Sequence, residues 1–281
     1  MNQREVSIKE MHRCTLTVLK KIIEICDENS ILYFLAYGSL LGAVRHKGFI
    51  PWDDDCDVLM LRPDYDRFVR FCDNHRKELL PFRLMNRFNT PNYPFGISRF
   101  CDTRFKMVRD EAESAGMGLF VDIYPYDGMG NGKFLEHLYI GYFRTYYTRM
   151  TNYANLNSFV SSRNKIFNLL RRLLYAIAKK NGSDYYLNKL EKLANRYPYI
   201  SSKYVGAIIW GTGDYHFEKT FFEESTLLEF EGVKVNVPRR YHELLTICYG
   251  NYMRLPPESE RQQSHGYKLY RVDDISIFSE D

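Results

Sequence analysis

The stretch Ala36-Tyr-Gly-Ser-Leu-Leu-Gly-Ala-Val-Arg-His-Lys-Gly-Phe-Ile-Pro-Trp-Asp-Asp-Asp-Cys-Asp-Val-Leu-Met60 decides how this chain is read, because a Gly-Ser turn is followed within it by Asp53, Asp54, Asp55 and Asp57. Just upstream, the apolar run from Ile31 to Ala36 is rich in strand-forming residues. After Gly38 and Ser39, Leu40, Leu41 and Val44 recur at helical spacing. The pattern predicts strand, turn and helix, with Ser39 capping the helix. Free backbone N–H groups at Gly38 and Ser39, together with the positive end of the helix dipole, suit a phosphate. The loop from Lys47 to Trp52 then delivers Asp53 to Asp57 to the entry of a second strand, Val58 to Leu61, closed by Pro63.

Alternate side chains of a strand share a face, so Asp55 and Asp57 are expected to point together, with Asp53 as a further candidate. Two carboxylates on one face repel unless a cation lies between them. A hard ion such as Mg²⁺, with Mn²⁺ as the alternative, takes carboxylates and completes its shell with water and phosphate oxygens. Three other readings compete. A solvated acidic loop has no need of the flanking apolar strands, Trp52 or the Gly-Ser turn. A calcium loop fits Asp53, Asp55 and Asp57 but then meets Val58 where glycine is needed and Asp64 where a bidentate glutamate belongs. Zinc lacks its usual ligands.

From Gly38 to Asp57 the chain resembles the LicD family, whose signature runs Gly-Ser-Leu-Leu-Gly-x-x-Arg-His-x-Gly-x-Ile-Pro-Trp-Asp-Asp-Asp-hydrophobic-Asp; the one departure is Cys56 at the aliphatic position. Gly118-Leu-Phe-Val-Asp-Ile-Tyr-Pro-Tyr-Asp-Gly128 is similar to the family's second acidic strand. Phe230-Glu-Gly232 and Tyr249-Gly-Asn-Tyr-Met-Arg-Leu-Pro-Pro257 are similar to its closing motif, although these later motifs are less specific. The resemblance implies a polymerase-beta-like nucleotidyltransferase fold. It also implies transfer of a phospho-alcohol from a CDP-linked donor, phosphocholine from CDP-choline in the best-known bacterial activity and ribitol phosphate in the related fukutin domains.

Asp122 interrupts the apolar run Leu119, Phe120, Val121, Ile123, Tyr124, and a lone carboxylate buried there is costly without a cation or donor. A structural salt bridge would satisfy it. With Asp55 and Asp57 already calling for a metal, it would instead complete the metal site or take the proton from an attacking sugar hydroxyl. Arg45, His46 and Lys47 lie between turn and carboxylates, where they are candidates to grip a donor diphosphate; ordinary surface charge is the alternative. Arg99, Arg104, Lys106 and Arg109 flank a strand-like stretch around Phe100 to Val108 and are further candidates for phosphate or acceptor contact, with no reason in the sequence to choose among them.

The chain has 281 residues, 45% hydrophobic and 16% aromatic, enough for one large core or two smaller ones. A net charge of +4 suits anionic substrates or membrane surfaces and is too small to argue for nucleic acid. Its 23 tyrosines and 19 phenylalanines offer stacking faces for sugars or a cage for a quaternary ammonium, though most are expected in the core. Six cysteines without a C-x-x-C pair and an N-terminus without an apolar signal core predict reduced thiols and a cytoplasmic location. No apolar run reaches spanning length. Ile166, Phe167, Leu169, Leu170, Leu173, Leu174 and Ile177 form an apolar stripe in a stretch whose only charges, over 163–180, are basic. Two readings follow: a helix packed on the domain with a solvated basic face, or an interfacial helix on the inner face of an anionic membrane, where a lipid-linked glycan acceptor would lie.

A coarse pass predicts a helix over Ser7 to Glu28, the strand-turn-helix and acidic strand, and a helix after Pro63. Short strands follow to Tyr124, then helices from about Phe134 to Tyr197, a strand at Tyr204 to Trp210, a hairpin over Leu227 to Val237 around Gly232, and a helix at Arg239 to Tyr249. Arg261 and His265 in the polar tail are weak candidates for substrate contact. With the resemblance, this implies an α+β fold: a nucleotidyltransferase-like mixed sheet flanked by helices, in a single catalytic domain over 1–281 with a helical insertion at 132–197. The expected activity is metal-dependent transfer of phosphocholine from CDP-choline to a sugar hydroxyl of a cell-surface glycan precursor, such as a teichoic acid or lipopolysaccharide, releasing CMP. The implied site places the ion and catalysis at Asp55, Asp57 and Asp122, and the donor at Gly38, Ser39, Arg45, His46 and Lys47. Nucleotidyl transfer to a sugar or alcohol phosphate is one alternative, and a catalytically silent membrane- or glycan-binding protein is the other, disfavoured by the intact aspartates.

Overall fold

A computed structural model describes residues 4–109, 114–159, 165–210, 216–262 and 267–272, with the backbone alone at 109 and 165–167. Helix α1 (Ile8–Glu28) opens at Ser7, whose hydroxyl accepts the Glu10 N–H, and buries Met11, Val18, Leu19, Ile22 and Ile25 at helical spacing. Strand β1 (Phe34–Leu35) leads into α2 (Tyr37–His46). Strand β2 (Asp57–Leu61), buried along its whole length, passes directly into α3 (Arg62–Asn74), with Pro63 in the first turn. The helix predicted after Ser39 therefore begins three residues earlier. Ala36 occupies the N-cap position and Ser39 lies inside the first turn, so the expectation that Ser39 caps the helix is corrected.

The stretch around Phe100 to Val108 divides into β4 (Ser98–Asp102) and β5 (Phe105–Arg109), after β3 (Phe82–Met85). Strand β6 (Leu119–Gly128) is buried throughout and forms the middle of a mixed sheet of order β1-β2-β6-β4-β3. Its pairing with β2 is parallel and sets Asp57 opposite Asp122; its pairing with β4 is antiparallel and sets Arg99 opposite Asp122. At its far end β6 pairs with β7 (Tyr204–Gly206), which pairs with β8 (Phe217–Glu218). The predicted strand at Tyr204 is thus three residues long. Helices α1, α2 and α3 pack on β2, β4 and β6, and the main core lies between them. The architecture is the expected α+β arrangement of a mixed sheet with flanking helices.

Helices α4 (Phe134–Asn155), α5 (Lys165–Asn181) and α6 (Ser183–Ala194) pack on one another around two small clusters of their own, one of Met129, Ile140, Leu193, Ala194, Ile208 and Ile209, the other of Met150, Ala178 and Tyr186. On α5 most of the apolar stripe that is described does not pack inward, Leu174 excepted. Leu169, Leu170, Leu173 and Ile177 are exposed, and only Ala178 is fully buried among the described side chains of that helix. Helix α5 thus packs on α4 and α6 through Leu174 and Ala178, with most of its described apolar stripe left exposed. Arg163 and His265 lie outside the described residues.

The predicted hairpin consists of β9 (Ser225–Phe230) and β10 (Val233–Pro238), joined by Glu231 and Gly232, both with left-handed φ, the backbone that two-residue hairpin turns require. Helix α7 (Tyr241–Tyr249) follows, two residues shorter than expected, and β11 (Tyr267–Arg271) pairs with β5 in a separate two-stranded sheet. All six cysteines are free thiols. Among the described residues no helix is long and apolar enough to cross a membrane.

Candidate metal and phosphate site

Two hydrogen-bonding schemes converge on Asp57. Its N–H donates to the Ser39 hydroxyl at 2.8 Å, and its carbonyl accepts the Ala36 N–H at 3.0 Å. On the other side, the Cys56 carbonyl accepts the Asp122 N–H at 2.9 Å. The junction of β1 and α2 and the middle of β6 thus grip the acidic segment from both flanks. Ser39, itself 4% exposed, is spent on positioning Asp57. Gly38 meets the same segment: a Cβ there would lie 2.6 Å from Oδ2 of Asp53, so the start of α2 is already faced by a carboxylate. Asp53 turns to that helix end, whereas Asp55 and Asp57, two residues apart, turn together.

Carboxylate oxygens of Asp55, Asp57 and Asp122 lie within 4.8 Å of one another, the spacing of ligands around one ion. Asp55 is partly exposed, while Asp57 and Asp122 are buried. Oδ1 of Asp57 is enclosed and has no hydrogen-bond donor. Burial, then the neighbouring charges of Asp55, Asp122 and Asp53, push the Asp57 carboxyl well above the usual carboxylate range. A shared cation would relieve both the orphaned oxygen and the repulsion. The donor set is all oxygen, which suits Mg²⁺ or Mn²⁺ and not a soft metal.

Asp122 has a partner as well. Arg99 donates from Nε to Oδ1 at 2.6 Å and from Nη2 to Oδ2 at 3.3 Å, and its guanidinium lies 3.9 Å from the ring centres of both Phe95 and Phe120. Salt bridge and carboxylate cluster therefore coexist at this residue. A carboxylate has about four lone-pair sites, so two donors leave room for an ion. Of the four cations around β4 and β5, Arg99 is the one brought to the site. Arg104 is bidentate with Asp102, Lys106 is exposed, and the Arg109 side chain lies outside the described part. The signal for Arg99 was present in the sequence, since it interrupts the mostly apolar run from Phe95 to Cys101, as Asp122 interrupts that from Leu119 to Tyr124.

The loop preceding the aspartates is clamped by distant segments. Glu231, at the hairpin tip, accepts the Phe49 N–H at 3.1 Å and donates its own N–H to the Lys47 carbonyl at 2.8 Å. Its carboxylate lies so close to Gly48 that a Cβ there would collide. Phe49 stacks on His12 of α1 at 4.4 Å, and His12 Nε2 bonds the Asp53 carbonyl at 2.6 Å. The Tyr267 hydroxyl donates to the Asp54 carbonyl at 2.5 Å. Sequence reading missed these clamps because each joins segments far apart along the chain.

Of the predicted donor-binding cations, Arg45 and His46 are half-buried at the end of α2. Lys47 is exposed and contributes a left-handed backbone. Arg45 donates to the Tyr252 carbonyl at 3.0 Å, which ties α2 to the closing segment. His46 meets Trp52 edge-on at 6.1 Å, and the Arg261 guanidinium lies 5.5 Å from the centre of the same ring. Burial and the adjacent Arg45 lower the pKa of His46; burial and Arg261 lower that of Arg45. Two arginines and a histidine thus gather around Trp52, the residue that precedes the acidic run, a charge pattern suited to an anion.

Residues 30–160 match the family described as "LicD/FKTN/FKRP, nucleotidyltransferase domain". The chain is 29% identical over 273 residues, 95% of its length and 99% of the other, to the lipopolysaccharide cholinephosphotransferase LicD of Haemophilus influenzae. It is also 38% identical over 64 residues to an uncharacterized protein of Rickettsia prowazekii, covering 23% of this chain and 21% of that one. An uncharacterized protein of Caenorhabditis elegans is 27% identical over 121 residues, 43% of this chain and 28% of that one. With the Gly38–Asp57 signature folded around one carboxylate cluster, residues 30–160 carry a domain of the LicD family, and likeness to the Haemophilus influenzae protein continues along nearly the whole chain.

Proposed function

We propose that this protein is a transferase that moves phosphocholine from CDP-choline to a sugar hydroxyl of a lipopolysaccharide-type glycan, with Asp55, Asp57 and Asp122 holding Mg²⁺ or Mn²⁺. The observation that carries the chemistry is the carboxylate cluster with its orphaned Asp57 oxygen. Likeness to the Haemophilus influenzae enzyme along almost the whole of both chains supports the choice of donor and acceptor. A divalent ion bound there supplies charge neutralisation on the non-bridging phosphate oxygens.

The remaining steps belong to the protein's own groups. Arg45, His46 and Arg261 bind the donor diphosphate beside Trp52. Arg99 holds Asp122 in one orientation and offsets part of the negative charge of the cluster. In the reaction, the sugar oxygen bonds to the phosphorus that carries choline while the bond from that phosphorus to the bridging oxygen breaks, and CMP leaves with the electron pair. Asp55, the least buried of the three carboxylates, is the one an acceptor can reach, and it takes the hydroxyl proton. Tyr37 and Tyr124 meet edge-to-face at 4.9 Å, and the Tyr124 phenol lies within electrostatic reach of Asp57 and Asp122, which makes this pair a candidate contact for the trimethylammonium group.

The test is a donor screen by thermal stabilisation, with CDP-choline, CDP-ribitol, CDP-glycerol, CTP and UTP, with and without Mg²⁺. A ligand at a hundredfold its Kd stabilises by about 2.7 kcal/mol. Metal-dependent stabilisation by CDP-choline above the others is expected. Preference for a triphosphate, with pyrophosphate rather than CMP as product, would replace the reading by nucleotidyl transfer, which the description of the matched domain favours.

A further inference from the structure

We infer that the outer face of α4 and α5 is a docking surface for an anionic phospholipid bilayer. Half of the large apolar side chains exposed among the described residues lie on these two helices. Phe134 is 76% exposed, Leu135 73% and Leu169 75%, with Leu138, Tyr142, Leu170 and Leu173 beside them. Leaving so much apolar surface in water is unfavourable, and patches of this kind mark interaction sites.

Charge decides which partner fits. Helix α5 contains Arg171, Arg172, Lys179 and Lys180 and no acidic residue. The one acidic residue of α4, Glu136, turns its carboxylate to the backbone N–H groups of Asn131 and Lys133 at the helix start. An apolar stripe edged only by cations suits the headgroup and upper acyl region of anionic lipid. A protein partner would instead be expected to meet a patch of mixed charge. Tyr139, Tyr142 and Tyr146 add the aromatic residues that favour that interface. Between the two helices lies a cleft of about 1010 Å³, lined in part by Phe134, Leu138, Tyr142, Leu170 and Leu174. Four of these side chains also belong to the exposed face, so the cleft opens onto the same surface and has room for a lipid chain.

The geometry also connects this face to the carboxylates. Strand β6 (Leu119–Gly128) covers roughly 20 Å from Asp122 to its end, and five further residues lead to α4 at Phe134, so a short length of chain separates the cluster from the start of the docking face. On the reading given under Proposed function, that short connection brings a glycan anchored in the bilayer within reach of the site. Docking itself does not depend on that reading.

The experiment is co-sedimentation of the full chain with vesicles of phosphatidylglycerol mixed with phosphatidylcholine, and with vesicles of phosphatidylcholine alone. Binding to the anionic vesicles only, weakened by salt, is expected. The double variant Leu169→Glu with Leu173→Glu should bind at least tenfold more weakly, as should Arg172→Glu with Lys180→Glu. Leu227→Glu, on the exposed side of the hairpin, should bind as the parent does. Circular dichroism and stabilisation by CDP-choline should be unchanged in all three, which separates loss of docking from loss of fold or of donor binding. Absence of binding to anionic vesicles, or parental binding by both double variants, would overturn the inference. So would self-association of the parent that Leu169→Glu with Leu173→Glu disperses, if no vesicle binding accompanies it.

Discussion

In the middle of β6, Arg99 grips Asp122 at 2.6 Å; near the end of the strand, Arg62 grips Asp127 at the same distance. Both aspartates are buried, both interrupt the same apolar strand, and they stand five positions apart, so they turn to opposite faces. What differs is the surplus of charge. Around Asp122 two more carboxylates close to within 4.8 Å, and one arginine cannot balance them. Around Asp127, among the described residues, Arg62 donates to Oδ1 and Oδ2 has no donor, Glu191 is a more distant influence, and burial still pushes the Asp127 carboxyl up to about 6. A buried ion pair is therefore a poor marker of function. Excess charge that the protein's own groups leave unbalanced is a better one.

The sharpest way to break the comparison is Asp57→Asn. Turnover should fall by at least about a thousandfold, because the charge that holds the ion and the phosphate opposite it is lost. The metal-free protein should nevertheless melt at the same temperature or higher, since a repelled, orphaned carboxylate has been neutralised. Calorimetry with and without Mg²⁺ reads both effects. A variant that keeps its metal-dependent stabilisation would remove Asp57 from the site.

Next in size are the two arginines. Arg99→Met and Arg62→Met should each cost about 3–5 kcal/mol in urea unfolding, because each leaves a buried carboxylate without its counter-charge. Only Arg99→Met should also weaken stabilisation by Mg²⁺ and CDP-choline under conditions where both variants are folded. Equal losses of ligand response would mean that the two ion pairs of β6 are functionally equivalent.

The smallest expected effect is a pH slope. An unfolded aspartate titrates near 3.8, whereas Asp127 in the native state titrates near 6. Between these values the native state binds a proton that the unfolded chain has released. Its contribution to stability is thus fully present below the unfolded pKa and is lost as pH rises through about 6. The difference is worth about 3 kcal/mol across that window. Asp127→Asn should flatten the slope in urea titrations between those pH values; an unchanged slope would assign the titration to another group.

Much of the fold was legible residue by residue. The helix at Ile8–Glu28, the strand and helix on either side of Ala36, the hairpin turn at Glu231 and Gly232, and the pairing of Asp55 with Asp57 all follow from periodicity and turn chemistry between near neighbours. Ser39 shows where such reasoning stops. Its place before a helical pattern marks a cap, yet in the folded chain it accepts the N–H of Asp57, eighteen positions on, and Ala36 takes the cap.

By itself, the sequence determined which chemistry was available: an oxygen-only ligand set at fixed spacing, a basic apolar stripe on α5, and one strand interrupted by acids. Only the tertiary structure decided that Arg99 stands opposite Asp122, that Glu231, His12 and Tyr267 hold the acidic loop, that Arg261 reaches Trp52, and that the stripe on α5 faces outward. The physical reason is separation along the chain. Side-chain periodicity is set by neighbours within a few residues, whereas these contacts depend on strand register and on the packing of elements that the local pattern does not encode.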